Sequence, residues 1–321
     1  MKKKLVYAMM IVMILSALLV SGCGGAKQIA AKTDGNAGQE KVVRIGTVPL
    51  PFYSHMWVAY KKGFLTEELN KVGYKLVWKP INLGPVVSES FAAGEIDMGV
   101  MGDLPAFVGR SSGIRNTIVS VSDIAKTQAL LTNPKSGINS VTDLKGKKVA
   151  TTKNTSGYEL LVVLLEKAGM TINDVNFVNM SMADLGPTLI KGDIDAAVVW
   201  EPSVTRLEES GMQLVVNGES CPNYAVLLAG DEFLKNNPAA VEAVNKAYDR
   251  GNEYMKENPD ECLKMLATEF KISESQLGKM IQAYKPVPID DKVLEDMKGQ
   301  EAFLSKNNIT KKPVNVKAFI N

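Results

Sequence analysis

Two carboxylates next to prolines, Asp103 in Gly102-Asp-Leu-Pro105 and Glu201 in Trp200-Glu-Pro202, close two stretches of this chain that resemble each other. Each is approached through a helix-like segment, a glycine and an apolar strand: Phe91-Ala-Ala-Gly-Glu-Ile-Asp97 for the first, Leu189-Ile-Lys-Gly-Asp-Ile-Asp195 for the second. Glycine, aspartate and terminal acid all recur at one offset of 98 residues (94 to 192, 97 to 195, 103 to 201). Paired carboxylates can do acid/base work. No nucleophile, phosphate loop or metal-spaced ligand set accompanies them, and capping of the next helix is the competing role. His55 is the only histidine, which nearly excludes a serine triad or a histidine–metal cluster. No Cys-x-x-Cys pair is present for zinc or redox work. Binding without a metal or cofactor is therefore expected, rather than catalysis.

Parallel α/β sheets bind ligands at the carboxyl ends of their strands, so the loops that follow a strand and open a helix are the ones to inspect. They are 49–56, 82–84, 102–104, 153–157, 179–184 and 200–202. Asn154-Thr155-Ser156-Gly157 offers an amide, two hydroxyls and a permissive glycine at one helix start, a pattern suited to an oxyanion held by free backbone N–H groups. An ordinary N-cap is the alternative. Ser54 and His55 hold the same place in the first half. Trp200, at the end of an apolar strand, could wall the site and donate its indole N–H, or it could simply be packed. Of the five arginines none lies in these loops, so helix N-termini rather than guanidinium groups would hold an anion. The contact set expected from these loops is Ser54, His55, Gly84, Asp103, Leu104, Asn154, Thr155, Ser156, Trp200 and Glu201.

The elements that must position these residues alternate. Strands are expected at 42–48, 75–79 and 96–101, with helices at 54–68, 85–93 and 105–111 between or after them. A second round follows, with strands at 148–152, 175–179 and 196–200 and helices at 158–168, 183–191 and 203–209. Short connections between alternating strands and helices predict parallel sheets covered by helices. Val43-Arg-Ile-Gly-Thr47 and Lys148-Val-Ala-Thr-Thr152 each open one round, Arg44 and Lys148 standing at the similar offset of 104. The fold class is thus α/β, two doubly wound lobes with a cleft between them, the usual place for a small ligand. Lobe 1 is expected from 41–130 plus 226–321, and lobe 2 from 131–218. A two-strand hinge is expected near 130–133 and 217–226. The helical segments after 238 carry apolar residues at helical spacing and read as packing.

The ends and composition place the chain. Lys2, Lys3 and Lys4 precede sixteen uncharged residues, Leu5 to Val20, and then Val-Ser-Gly-Cys23. Residues 1–22 read as a secretion signal, the apolar run being short for a membrane span of about 20 residues. Val-Ser-Gly-Cys resembles the lipobox of bacterial lipoproteins, which implies diacylglycerol on the Cys23 sulfur and cleavage before it. Residues 23–40, apart from Ile29 and several alanines, are small, polar or charged and read as a flexible tether. The folded part of about 280 residues suffices for two lobes. The chain holds 37 Lys and Arg against 35 Asp and Glu, and three of the lysines fall in the signal. The near-neutral remainder argues against a nucleic-acid partner. Cys221 and Cys262 lie in a compartment that permits a disulfide. Sequence separation does not say whether they pair.

Together these residues resemble the periplasmic binding proteins of the nitrate, sulfonate and taurine import family, a branch of the ABC-transporter solute receptors. The matching pieces are Arg44-Ile-Gly, Lys62-Gly-Phe-Leu, Phe91 to Asp97, Gly102-Asp-Leu-Pro105, Asp143-Leu-Lys-Gly-Lys-Lys-Val149, and Gly192-Asp-Ile-Asp195 through Trp200-Glu-Pro202. They cover nearly the whole chain after the tether, and their order is more specific than any one of them. The resemblance implies the type II two-lobe fold, closure around one small solute, and delivery to a membrane permease with a cytoplasmic ATPase. Asn154, Thr155, Ser156 and Trp200 fall where such receptors contact their ligand. Gly102 to Pro105 is most similar to the aliphatic sulfonate members. The loop Pro49 to His55 departs from any one subfamily, so nitrate-like anions and pyrimidine or riboflavin-type precursors stay open beside sulfonates and taurine. An ionised Asp103 or Glu201 facing the cleft would repel nitrate, whereas taurine or an aminopyrimidine offers a cationic or N–H group to pair, so sulfonates, amino-bearing ones included, rank above nitrate. Two competing roles are a pyrimidine-synthase-like enzyme, whose relatives carry a cysteine-rich segment not found here, and a receptor that reports to a sensor. Localisation is expected at the outer face of the cell membrane, through the lipid anchor.

Overall fold

The computed structural model describes residues 40–124, 127–218, 221, 223–281 and 284–321, so the signal, Cys23 and all but the last residue of the tether lie outside it. Residues 40–321 form one compact unit. In chain order its first half comprises β1 (Lys41–Thr47), α1 (Ser54–Lys61), α2 (Phe64–Lys71), β2 (Tyr74–Pro80), α3 (Gly84–Ala92), β3 (Met98–Gly102), α4 (Asp103–Ser111) and β4 (Asn116–Ile124). There follow β5 (Gln128–Thr132), β6 (Lys148–Thr151), α5 (Ser156–Lys167), β7 (Asn176–Asn179), α6 (Met182–Lys191), β8 (Ala196–Trp200), α7 (Ser203–Glu209) and β9 (Gln213–Asn217). The rest is β10 (Asn223–Gly230), α8 (Asp231–Asn236), α9 (Pro238–Glu257), α10 (Pro259–Phe270), α11 (Glu274–Ile281), β11 (Tyr284–Val287), α12 (Asp291–Lys306) and α13 (Val316–Phe319).

Two sheets result, one in the order β11-β4-β10-β3-β1-β2 and one in the order β7-β6-β8-β5-β9. Both are mixed rather than parallel. β1 lies between β2 and β3 and is parallel to both, as β6 is to β7 and β8. A returning strand then pairs antiparallel to the third, β10 against β3 and β5 against β8. The expectation of parallel sheets missed β4 and β5, whose pairing partners are contributed by distant chain. Since β5 pairs with β8 and β9, the chain has already entered the second sheet by Gln128, and the expected boundary at 130/131 falls inside this strand. It returns to the first sheet between Asn217 and Asn223.

The repeated glycine–aspartate motif has a shared physical cause. Gly94 and Gly192 end their helices at φ 67° and 84°, a conformation that glycine adopts without the Cβ penalty. Three residues later an aspartate holds the first strand of its lobe. Asp97 Oδ2 accepts from the Arg44 N–H and Asp195 Oδ2 from the Lys148 N–H, both at 2.8 Å. Their own N–H groups donate back to the Arg44 and Lys148 carbonyls at 2.8 and 2.9 Å. Behind the sheets, α5 turns Leu160, Leu161, Leu164 and Leu165 into the second core. Each such side chain contributes about 1.5–3 kcal/mol by leaving water. Cys221 and Cys262 are buried and do not form a disulfide. Among the described residues no helix is long and apolar enough to cross a membrane.

Candidate ligand cleft

A narrow cavity of about 50 Å³ lies where helix starts from both sheets converge. Leu83, Gly84 and Pro85 bring the start of α3, and Gly102 is the residue before α4. Thr155 and Ser156 bring the start of α5, and Met182 opens α6. Val48, Leu50, Phe52 and Tyr53, from the loop after β1, and Trp200, from the end of β8, complete the wall. Each helix start carries backbone N–H groups without intrahelical acceptors and a partial positive charge. No charged side chain is among the described residues that line the cavity.

Close packing fixes the α5 end of the site. The Trp200 indole Nε1–H donates to Ser156 Oγ at 3.0 Å. Residue 157 must be glycine here, because a Cβ would stand 2.6 Å from the indole and 2.8 Å from Thr151 Oγ1. Thr155 Oγ1 donates to the Thr152 carbonyl at 2.5 Å and makes no side-chain cap to the helix. Asn154 takes the left-handed φ of 61° that turns the chain into α5; it does not line the cavity. Gly84 brings α3 close to α4, since a Cβ there would stand 2.9 Å from Pro105.

Of the ten residues expected from the loops, the cavity gathers Gly84, Thr155, Ser156 and Trp200. The other six stand elsewhere. Ser54 is buried and donates to the Pro51 carbonyl. His55 packs edge-on to Tyr248 with ring centroids 5.9 Å apart, and burial lowers its pKa to about 4, so it is neutral. Leu104 is fully buried in the core. Asp103, also fully buried, accepts from the Leu104 and Tyr224 N–H groups at 2.7 and 2.8 Å. Glu201 accepts from the Thr205 N–H at 3.1 Å and the Thr205 hydroxyl at 3.0 Å. Both carboxylates therefore bond the start of their own helix and do not line the cavity, so they give no argument about the charge of a ligand there.

Sequence reasoning missed Leu50, Phe52, Tyr53 and Met182. Tyr53 is buried next to Asp103, and both effects raise its pKa, so it stays a neutral phenol. The signal was the run Pro49-Leu-Pro-Phe-Tyr, whose aromatics precede polar Ser54 and His55 in the same loop.

Two similarly ordered α/β lobes with a cleft where helix starts meet define the architecture of the periplasmic solute-binding proteins. The chain belongs to the NMT1/THI5-like family, whose model matches residues 52–262. A Bacillus subtilis (strain 168) protein, described provisionally as an aliphatic sulfonates-binding protein, is 27% identical over 314 residues, 96% of this chain and 92% of the relative. The alkanesulfonate-binding protein SsuA from Xanthomonas axonopodis pv. citri, solved bound to MOPS, superposes with a TM-score of 0.78. At 21% identity, over 89% of this chain and 99% of that one, it shows the fold. The 4-amino-5-hydroxymethyl-2-methylpyrimidine phosphate synthase of Aspergillus parasiticus is 25% identical over 234 residues, 65% of this chain and 64% of the enzyme.

Proposed function

We propose that this chain is the extracytoplasmic substrate-binding component of an ABC importer, and that it captures an aliphatic sulfonate by closing its lobes around it. One observation carries this reading: four helix starts, two from each lobe, meet at an uncharged and largely apolar cavity. Backbone N–H groups and the Ser156 hydroxyl suit the oxygens of a sulfonate, while Leu50, Phe52, Pro105 and Met182 suit a hydrocarbon tail. Taurine also carries an ammonium group, for which the described lining offers no carboxylate. Unsubstituted alkanesulfonates therefore rank above taurine, and tail-less nitrate ranks below both. The sulfonate-binding name of the Bacillus subtilis relative supports the same class.

The synthase relative supports an enzyme instead. Against this reading, the hydroxyls lining the cavity, those of Tyr53, Thr155 and Ser156, have no histidine, lysine or carboxylate beside them among the described lining residues to activate them. The permease and ATPase partners follow from the importer role. Cys23, outside the described residues, is proposed as the lipid anchor; Cys23→Ser should release the protein from membranes, and tight retention of an unprocessed chain would refute this.

Thermal unfolding against pentane-1-sulfonate, taurine, nitrate, riboflavin and an aminopyrimidine tests the ligand class. A ligand at about 100 times its Kd adds about 2.7 kcal/mol and a shift of several degrees. Stabilisation by pentanesulfonate is expected. A shift with a heterocycle alone keeps a receptor and overturns the sulfonate. No shift with any compound, and no ligand found by mass spectrometry of the purified protein, overturns the reading.

A further inference from the structure

A second cavity, of about 270 Å³, lies between the lobes and plays no part in holding the ligand in the reading above. Asp103, Glu159, Cys221 and Gln300 line it. Asp103 opens α4 in the first lobe, and Glu159 stands in the first turn of α5 in the second. Gln300 comes from α12. Asp103 is fully buried and Glu159 is 3% exposed. Among the described residues, no Lys, Arg or His side chain bonds to either carboxyl.

Their hydrogen bonds differ. Each Asp103 oxygen accepts a backbone N–H, at 2.7 and 2.8 Å, which favours the ion. Glu159 is held by side chains: its Oε2 accepts from the Gln300 amide at 3.0 Å, a group that also bonds Asp103, and the Cys221 thiol bonds the same Glu159 carboxyl. Two buried carboxylates facing one cavity do not both ionise readily, and the one whose anion accepts fewer and weaker hydrogen bonds keeps its proton.

We infer that Glu159 holds a proton at neutral pH and that this proton is linked to anion binding in the cleft next to it. The link is geometric and rests on the functional reading above. Glu159 lies three residues after Ser156 on the helix whose start lines the cleft. An ionised Glu159 would sit at the same positive helix end that the anion uses and would weaken its hold. It would also face Asp103 across the lobe junction as a like charge. Binding above the titration midpoint takes one proton from the buffer onto the Glu159 carboxylate.

The surrounding charges do not offset this. Asp296 of α12 is paired with Lys292 at 2.7 Å and accepts from Tyr224 at 2.6 Å. Glu295 adds negative charge to the cavity lining, Tyr53 beside Asp103 stays neutral, and Lys167, whose charge acts on Cys221, lies at the far end of α5. Burial, and the charge of Asp103, raise Glu159 well above the ordinary carboxylate range. Burial also pushes Asp103 up to about 7.

Pentane-1-sulfonate keeps one charge throughout the range of pH 5 to 9, so calorimetry of the full chain with it isolates the protein's own titration. In two buffers of different ionisation enthalpy, uptake of close to one proton per ligand is expected on the alkaline side. Affinity should fall there by up to roughly tenfold per pH unit, and Glu159→Gln should keep the low-pH affinity throughout. Flat wild-type affinity with no proton uptake, or an unchanged pH dependence in Glu159→Gln, overturns the inference. Should that variant not fold, wild-type proton uptake still decides. If pentanesulfonate binds at no pH, the ligand reading fails, and carboxyl ¹³C NMR of the unliganded protein decides the proton. A Glu159 resonance titrating above pH 6 supports it; one titrating in the ordinary carboxylate range overturns it.

Discussion

Trp200 lines the cleft only because residue 157 has no side chain. Gly157→Ala would put a methyl 2.6 Å from the indole, which must move and give up its 3.0 Å bond to Ser156. Loss of that bond and of one wall should weaken sulfonate binding roughly tenfold, about 1.4 kcal/mol, with the far-UV circular dichroism unchanged. Undiminished affinity would show that Trp200 does not contact the ligand. His55 makes a separate prediction about pH. Its pKa of about 4 in the fold lies below the unfolded value of about 6.5, so the unfolded chain binds the extra proton between these values. The stabilisation is complete above about 6.5 and is lost as pH falls towards 4, up to roughly 3 kcal/mol. His55→Phe should flatten the unfolding temperature over that window; the same slope in the variant would place the titration elsewhere.

At the scale of elements, the two aspartates of the repeat have the same task but unequal partners. Asp97 also takes the Arg44 guanidinium, Nε–H at 2.9 Å and Nη2–H at 2.6 Å, and its side chain is 13% exposed. Asp97→Ala should cost roughly 2–3 kcal/mol and Asp195→Ala about 1 kcal/mol, read as a lower urea midpoint at constant slope. Equal losses would mean that the backbone bond alone matters. This motif was legible in the sequence because its chemistry is local: a left-handed glycine, then a carboxylate reaching the strand beside it. The helix starts were legible for the same reason. The mixed sheets were not, since inserting β10 between β3 and β4 joins segments roughly a hundred residues apart or more. Nor does a sequence give the direction of a side chain at a helix start. Asp103 and Ser156 hold similar places on their helices, yet Ser156 lines the cleft while Asp103 turns towards Tyr224. Leu50, Phe52 and Met182 lie in two of the expected loops, 49–56 and 179–184, but an apolar side chain there does not tell a cavity wall from a core.

For the whole molecule, the decisive fact is that no single lobe contains the candidate cavity. Gly84, at the start of α3, and Gly102, at the end of β3, stand on the first sheet's side, and Thr155, Ser156, Met182 and Trp200, at the starts of α5 and α6 and the end of β8, on the second's. The chain passes between the sheets twice, between Ile124 and Gln128 and between Asn217 and Asn223; we propose that these passages are the hinge. A ligand bonded to both lobes has differential affinity for the closed arrangement, and that difference is the only source of a shift in the lobe equilibrium. The junction behind the cleft sets what the ligand must work with. Across it Lys306 of α12 pairs with Glu166 of α5 at 3.1 Å, on the same two helices as the Gln300–Glu159 bond. α12 thus holds the second lobe by the helix that also presents Ser156. Small-angle scattering should show a smaller radius of gyration at saturating pentanesulfonate, and hydrogen exchange should slow at the starts of α3 and α5 together. Gln300→Ala, which touches no ligand, should reduce affinity by loosening that junction while leaving the bound-state scattering unchanged. Slowed exchange on one lobe only, with no contraction, would mean that the ligand rests on a single lobe, and the proposed closure would then be wrong whatever the affinity.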